Sequence, residues 1–151
     1  MGSHQRCRAA LVSERQSLED LQRRASLNNP NDREALLSNP EAIELPLEQI
    51  VAGHVFVVER DGVALGFAAV VPRDDGNSEL DALFVEPDCW KQGLGRLLVD
   101  HCVAIAKTRG SAALHVIGNP HAEAFYRACG FEQIGTTETR FGVGLLFRRA
   151  V

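Results

Sequence analysis

Several things are missing from this chain, and each absence narrows the reading. There is no basic tract: 16 Lys and Arg are scattered among 20 Asp and Glu, for a net charge of −4. That argues against nucleic acid or an anionic membrane surface as a partner. No apolar run approaches the ~20 residues of a membrane helix, and the N-terminus shows no signal-peptide apolar stretch. Four cysteines are present, Cys7, Cys89, Cys102 and Cys129, but no two form a CxxC pair. No Cys/His cluster has zinc spacing, so no metal is expected. Free thiols in a reducing, cytoplasmic compartment are the expectation. Aromatics are few, with one Trp and one Tyr. There is no internal repeat, low-complexity segment or linker, so residues 1–151 are expected to form one domain. Met1–His4 reads either as a vector scar or as native sequence and is set aside from the fold.

What is present is a change of hydrophobic period along the chain. Glu14 to Ser26 reads as a helix, with Leu18, Leu21 and Ala25 on one face. Asn28–Asn31 is a turn cluster. A short helix with Ala35, Leu36 and Leu37 follows, capped by Asp32 and ending near Asn39-Pro40, then a loop through Pro46. His54 to Arg60 and Val63 to Val71 read as strands joined by the hairpin turn Asp61-Gly62. Glu79 to Val85 is a third strand, stopped by Pro87. Gly93 to Arg109 is the strongest helix, with an apolar stripe of Leu94, Leu97, Leu98, Cys102 and Ile105 and Gly110 as its C-cap. Ala113 to Ile117 is a buried strand. Pro120 to Cys129 is a helix with Pro at its start and Gly130 past its end. Phe131 to Gly135 and Val143 to Arg149 are the last strands. Short turns make the first three strands antiparallel. The helix from Gly93 carries the chain across to a strand parallel to the third. The fold class is therefore α+β: a mixed, mostly antiparallel sheet with helices on both faces.

The chemistry concentrates where a strand meets the strongest helix, at Gln92-Gly93-Leu94-Gly95-Arg96. Two glycines let the backbone approach a ligand closely. The helix start adds unpaired N–H groups and a positive dipole end, a combination suited to phosphate. On GxG alone, a plain glycine turn is the simpler reading. A Walker A loop needs Gly-Lys-Ser/Thr, and here Arg96-Leu97 follows. A dinucleotide fingerprint needs a third glycine where Leu98 stands. Both fail.

The stretch Leu83-Phe84-Val85-Glu86-Pro87 followed by Gln92-Gly93-Leu94-Gly95-Arg96-Leu97-Leu98 resembles the coenzyme A motif of the Gcn5-related N-acetyltransferases. Downstream, Asn119, Ala122, Tyr126 and Gly130-Phe131 are similar to that family's Asn-x-x-Ala-x-x-x-Tyr-x-x-x-Gly-Phe segment. The resemblance runs from about Val51 to the C-terminus. It implies splayed strands at a coenzyme site and acetyl-coenzyme A as co-substrate, with no metal. It implies an amine acceptor, either a small molecule or an amine of a peptide or protein, and a homodimer is a common arrangement in the family. One position departs: the family usually opens this loop with Arg or Gln where Trp90 stands, so that side-chain contact to the coenzyme is lost.

By the same resemblance, Leu83, Phe84 and Val85 would offer main-chain groups to the pantetheine arm. Lys91, Gln92, Gly93, Leu94, Gly95 and Arg96 would hold the pyrophosphate, and Asn119 and Phe125 would lie along the coenzyme. Tyr126, the only tyrosine, is placed as the acid that protonates the leaving thiolate; packing alone is its simpler role. An alkyl amine, with a pKa around 10, must lose a proton before it attacks a carbonyl, and a carboxylate can take that proton directly or through water. Glu79 is the best match for this base, with Asp81, His115 or a water chain as alternatives; a solvated strand end is the plain reading of both acids. His115 otherwise reads as a satisfied core residue and His121 as exposed, and no role falls to His54 or His101. Two functions compete: an N-acetyltransferase acting by direct attack in a ternary complex, and a non-catalytic acyl-coenzyme A-binding or regulatory module of the same fold.

Overall fold

The computed structural model describes residues 5–140 and 142–151, so Met1–His4 lie outside it. Seven strands form one sheet in the order β1-β2-β3-β4-β5-β7-β6. They are β1 (Gln5–Ala9), β2 (Val55–Arg60), β3 (Val63–Pro72), β4 (Ser78–Val85), β5 (Ala113–Gly118), β6 (Glu132–Thr139) and β7 (Gly142–Ala150). The helices are α1 (Arg15–Asn28), α2 (Pro30–Ser38), α3 (Leu47–Val51), α4 (Leu94–Thr108) and α5 (Glu123–Ala128). The pairs β1–β2, β2–β3, β5–β7 and β6–β7 are antiparallel. The pair β4–β5 is parallel, as the crossover through α4 requires. The expected mixed, mostly antiparallel α+β class is the class observed.

The chain divides into two compact units, Met1–Ala69 with Ala82–Leu98, and Val70–Asp81 with Val99–Val151. In the first, Leu18 and Leu21 of α1 and Ile50 of α3 bury against Val55, Val57, Phe67 and Ala69 of β2 and β3. The opposite face is closed by α4: a Cβ on Gly66 would lie 2.9 Å from the Phe84 carbonyl oxygen and 3.3 Å from Leu98. The Asp61-Gly62 hairpin has φ of 53° and 83°, the left-handed pair that a two-residue hairpin turn demands. In the second unit, Leu80, Leu114, Val116 and Phe147 are buried together with Val99, Cys102 and Ala106 of α4. None of the four cysteines is in a disulfide. No helix among the described residues is long and apolar enough to cross a membrane.

At several points the structure departs from, or adds to, what the sequence suggests. Strand β1 carries no apolar alternation in QRCRA, and forms because it pairs with β2 along its whole length. Arg6 and Arg8 of β1 then converge on the buried Glu59 at 2.6 and 2.8 Å. Helix α3 sits in the stretch expected to lead from loop to strand; it is five residues long and buries only Ile50. Leu37 is 61% exposed, and Leu97 points outward from α4, whose buried face runs through Leu94, Leu98, Val99, Cys102 and Ala106. Pro120–Ala122 is a 3-10 turn, and the α-helical part starts at Glu123.

Candidate active site

The loop before α4 is built by three local devices. Pro87–Cys89 forms a 3-10 turn directly after β4. Trp90 then donates its indole N–H to the Val85 carbonyl oxygen at 2.8 Å, tying the loop back to the end of the strand. The indole thus serves the loop's own framework. Next, Lys91 and Gly93 take left-handed φ values of 64° and 82°. Left-handed residues in a turn of this kind can present backbone N–H groups to an anion. A Cβ on Gly93 would meet nothing within 4 Å, so the space beside that backbone is open. Lys91, Gln92, Gly93 and Arg96 are exposed, while Leu94 anchors the loop in the core at 1% exposure. Arg60, from the end of β2, donates from Nη2 to Gln92 Oε1 at 2.9 Å. A fifteen-residue helix with an open, cation-bordered N-terminus has the features a pyrophosphate needs.

Leu83, Phe84 and Val85 occupy the last three positions of β4. Phe84 packs with the first unit's core, 5.6 Å ring to ring from Phe67.

Tyr126 lies in the second unit on α5. Its ring is 8% exposed and packs edge-on to Phe125 and Phe131, at 5.2 and 5.6 Å, and tilted on Phe147 at 5.4 Å. The sequence makes room for this ring at Gly118, where a Cβ would fall 2.8 Å from Tyr126 Cε2. Gly118→Ala should therefore lower stability by about 1–3 kcal/mol through overpacking, measured by chemical denaturation. An unchanged midpoint would mean that the ring is free to shift. Burial pushes the Tyr126 phenol up to about 12, so it stays protonated across the neutral range. Asn119 is exposed, and its carbonyl starts the 3-10 turn by accepting from Ala122 N–H at 3.0 Å.

The proton-accepting candidates group at the start of β4. Glu79 and His115 are register partners in the parallel pair. Arg73 donates to Glu79 Oε1 at 2.9 Å and to Asp75 at 3.1 Å. Asn77 accepts from the N–H groups of Ala112 and Ala113, at 3.0 and 3.2 Å, and so joins the start of β4 to the start of β5. Its amide nitrogen lies 3.5 Å from His115 Nε2. Burial, with the charges of Arg73 and Arg148, pushes the His115 imidazole down toward its neutral form. Asp81 is exposed, as is His121. Arg73 and Asn77 lie in the turn between β3 and β4 and are not among the residues named from the sequence; an Arg and an Asn just ahead of a strand-starting Glu were the available signal.

An α+β fold with an open glycine loop before its main helix is thus in place. Residues 16–131 match the acetyltransferase (GNAT) family, and the chain belongs to it. It is 29% identical over 106 residues to an amino-acid acetyltransferase of Shewanella oneidensis, a match covering 68% of this chain and 23% of the relative. It is 31% identical over 130 residues to a phosphinothricin N-acetyltransferase of Alcaligenes faecalis, covering 80% of this chain and 60% of the relative. The chain thus spans less than two thirds of the length of these relatives. Among solved structures, the PaiA N-acetyltransferase of Thermoplasma acidophilum, in complex with coenzyme A, superposes with a TM-score of 0.77 at 16% identity, over 98% of this chain and 99% of that one.

Proposed function

We propose that residues 1–151 act as one N-acetyltransferase domain that moves the acetyl group of acetyl-coenzyme A to a primary amine by direct attack. The observation that carries this reading is the open loop at the start of α4, with Lys91 and Gly93 left-handed and space beside Gly93. When bound, acetyl-coenzyme A supplies an activated thioester. The chain's own residues do the rest. Amides from Lys91 to Arg96 hold the diphosphate, and main-chain groups of Leu83, Phe84 and Val85 align the arm, with Asn119 and Phe125 beside it. Glu79 receives the amine proton, directly or through water. Strand N–H groups stand ready for the negative charge that develops on the carbonyl oxygen. The C–N bond forms as the C–S bond breaks, and Tyr126 gives its phenolic proton to the departing sulfur. Holding both substrates together supplies much of the rate.

Acetyl-coenzyme A should raise the melting temperature by linkage, and an amine panel should elicit thiol release. Binding without release from any acceptor would instead favour the non-catalytic module. Gly93→Asp puts a carboxylate where phosphate sits. Calorimetry should then show acetyl-coenzyme A affinity falling at least ~10-fold through lost anion attraction. Gly93→Ala fills the same space without charge and is the control for backbone strain. Equal affinity in wild type and Gly93→Asp would remove the coenzyme from this loop.

A further inference from the structure

The register of the second unit aligns a polar row across four neighbouring strands. Glu79 of β4 pairs with His115 of β5, His115 with Arg148 of β7, and Arg148 with Glu132 of β6. Register partners point to the same face of a sheet. One residue further along, Leu80, Val116 and Phe147 form the core row, none more than 3% exposed. The polar row therefore lies on the opposite face, with Glu79 and His115 half-buried and Arg148 and Glu132 exposed.

The two ends of this row differ in charge. At the Glu79 end is a cleft of about 450 Å³ lined by Pro72, Arg73, Asp74, Asp75 and Glu79, three carboxylates against one guanidinium. That guanidinium is already engaged by Asp75 and Glu79. Arg148 is a different case. Among the described residues no hydrogen bond or ion pair holds its side chain, whereas its neighbour Arg149 is held by Cys129 O at 2.7 Å and Asp100 at 3.6 Å. Between the two ends, burial first and then the charges of Arg73 and Arg148 push the His115 imidazole toward its neutral form, with Asp75 and Glu79 pulling the other way.

We propose that this row selects the acceptor, and that the acceptor is an amino carboxylic acid, with its amine at the Glu79–His115 end and its carboxylate on Arg148. This rests on the acetyltransferase reading above. Neighbouring strands are ~4.8 Å apart, so the Glu79 and Arg148 backbones stand about 10 Å apart. Glu79 and Arg148 flank His115 in register, and both side chains are long enough to approach one small molecule from its two ends. An imidazole pushed toward its neutral form adds little repulsion to the ammonium. A guanidinium two strands away disfavours a plain alkyl amine or a polyamine and rewards a carboxylate, which it can grip through two N–H groups. Glu132 lies beyond Arg148 and competes only as an exposed carboxylate, a contact of small worth in water.

The test compares amino acids with the amines left when their carboxyl group is removed, in matched pairs at saturating acetyl-coenzyme A. Wild type should show kcat/KM at least ~10-fold higher for the acid of each pair, because a site built for a polar group rejects the analogue that lacks it. Arg148→Glu should cut that ratio roughly 10–100-fold, the loss expected for a charge-assisted pair. Arg148→Lys should keep part of the preference, and Arg148→Gln serves as the second variant if Arg148→Glu fails to fold. Titration of amino acid into the coenzyme A-saturated protein should show the same order without turnover. A ratio near one in wild type, or a ratio unmoved by Arg148→Glu and Arg148→Gln, overturns the assignment while leaving acetyl transfer intact. Failure of every acceptor to release thiol overturns the acetyltransferase reading, and this assignment with it.

Discussion

Glu79→Gln should slow acetyl transfer by roughly 10²–10⁴-fold if the whole general-base contribution is lost. The substitution is nearly isosteric and keeps an oxygen for Arg73, which now donates to Glu79 Oε1 at 2.9 Å. The turn from Pro72 to Ser78 therefore keeps its anchor, and acetyl-coenzyme A affinity should barely move. What disappears is the group able to accept the amine proton. The measurement is kcat and KM with a working acceptor, beside calorimetry of the coenzyme. A fall in kcat with unchanged coenzyme affinity marks a group that acts in the chemical step. A near-normal rate would pass the role to His115, the register partner of Glu79, to Asp81, or to a water chain. Testing His115→Gln in the same assay separates these, since His115 is held toward its neutral, proton-accepting form.

How far the site could be read in advance depends on how local each feature is. Helix α4 was legible because its apolar repeat, the glycines before it and Gly110 after it act within one segment. The Asp61-Gly62 turn was legible for the same reason: its left-handed pair is written in two adjacent residues. Strand β1 was not, because QRCRA has no pattern of its own. It becomes a strand only when Glu59, more than fifty positions away, receives Arg6 and Arg8. Leu97 misled because the repeat tolerates one more leucine than the buried face can use.

The candidate site divides along the same line. Gly93, Gly95 and Tyr126 stand in short motifs and could be named from the chain. Arg73, Asn77 and Arg148 could not, since their neighbours come from strand register and from the turn between β3 and β4. The meaning of Gly118 was hidden as well. Nothing in its neighbours says that a tyrosine eight residues on will lie against it.

Tyr126→Phe should lower turnover by roughly 10²-fold or more at neutral pH if the phenol protonates the leaving thiolate, while coenzyme binding persists. The ring is the part that packs, against Phe125, Phe131 and Phe147, and phenylalanine keeps it. The loss should shrink as pH rises past the thiol's own pKa near 8.5, where free thiolate is an acceptable product. The wild-type phenol itself remains a donor well beyond that, because burial holds it protonated up to about 12. The same burial provides a second readout that needs no substrate. The folded-state value is raised above the ordinary value of 10, so the unfolded chain loses this proton first. Its stabilising effect is complete below pH 10 and is lost as pH climbs through about 12. Tyr126→Phe has no proton to lose and should fall less in stability over that alkaline window. The two measurements together, a pH–rate profile and a pH–stability profile, separate the hydroxyl's chemistry from the ring's packing. Wild-type turnover at every pH, with the stability difference still present, would return Tyr126 to the core as a packing residue.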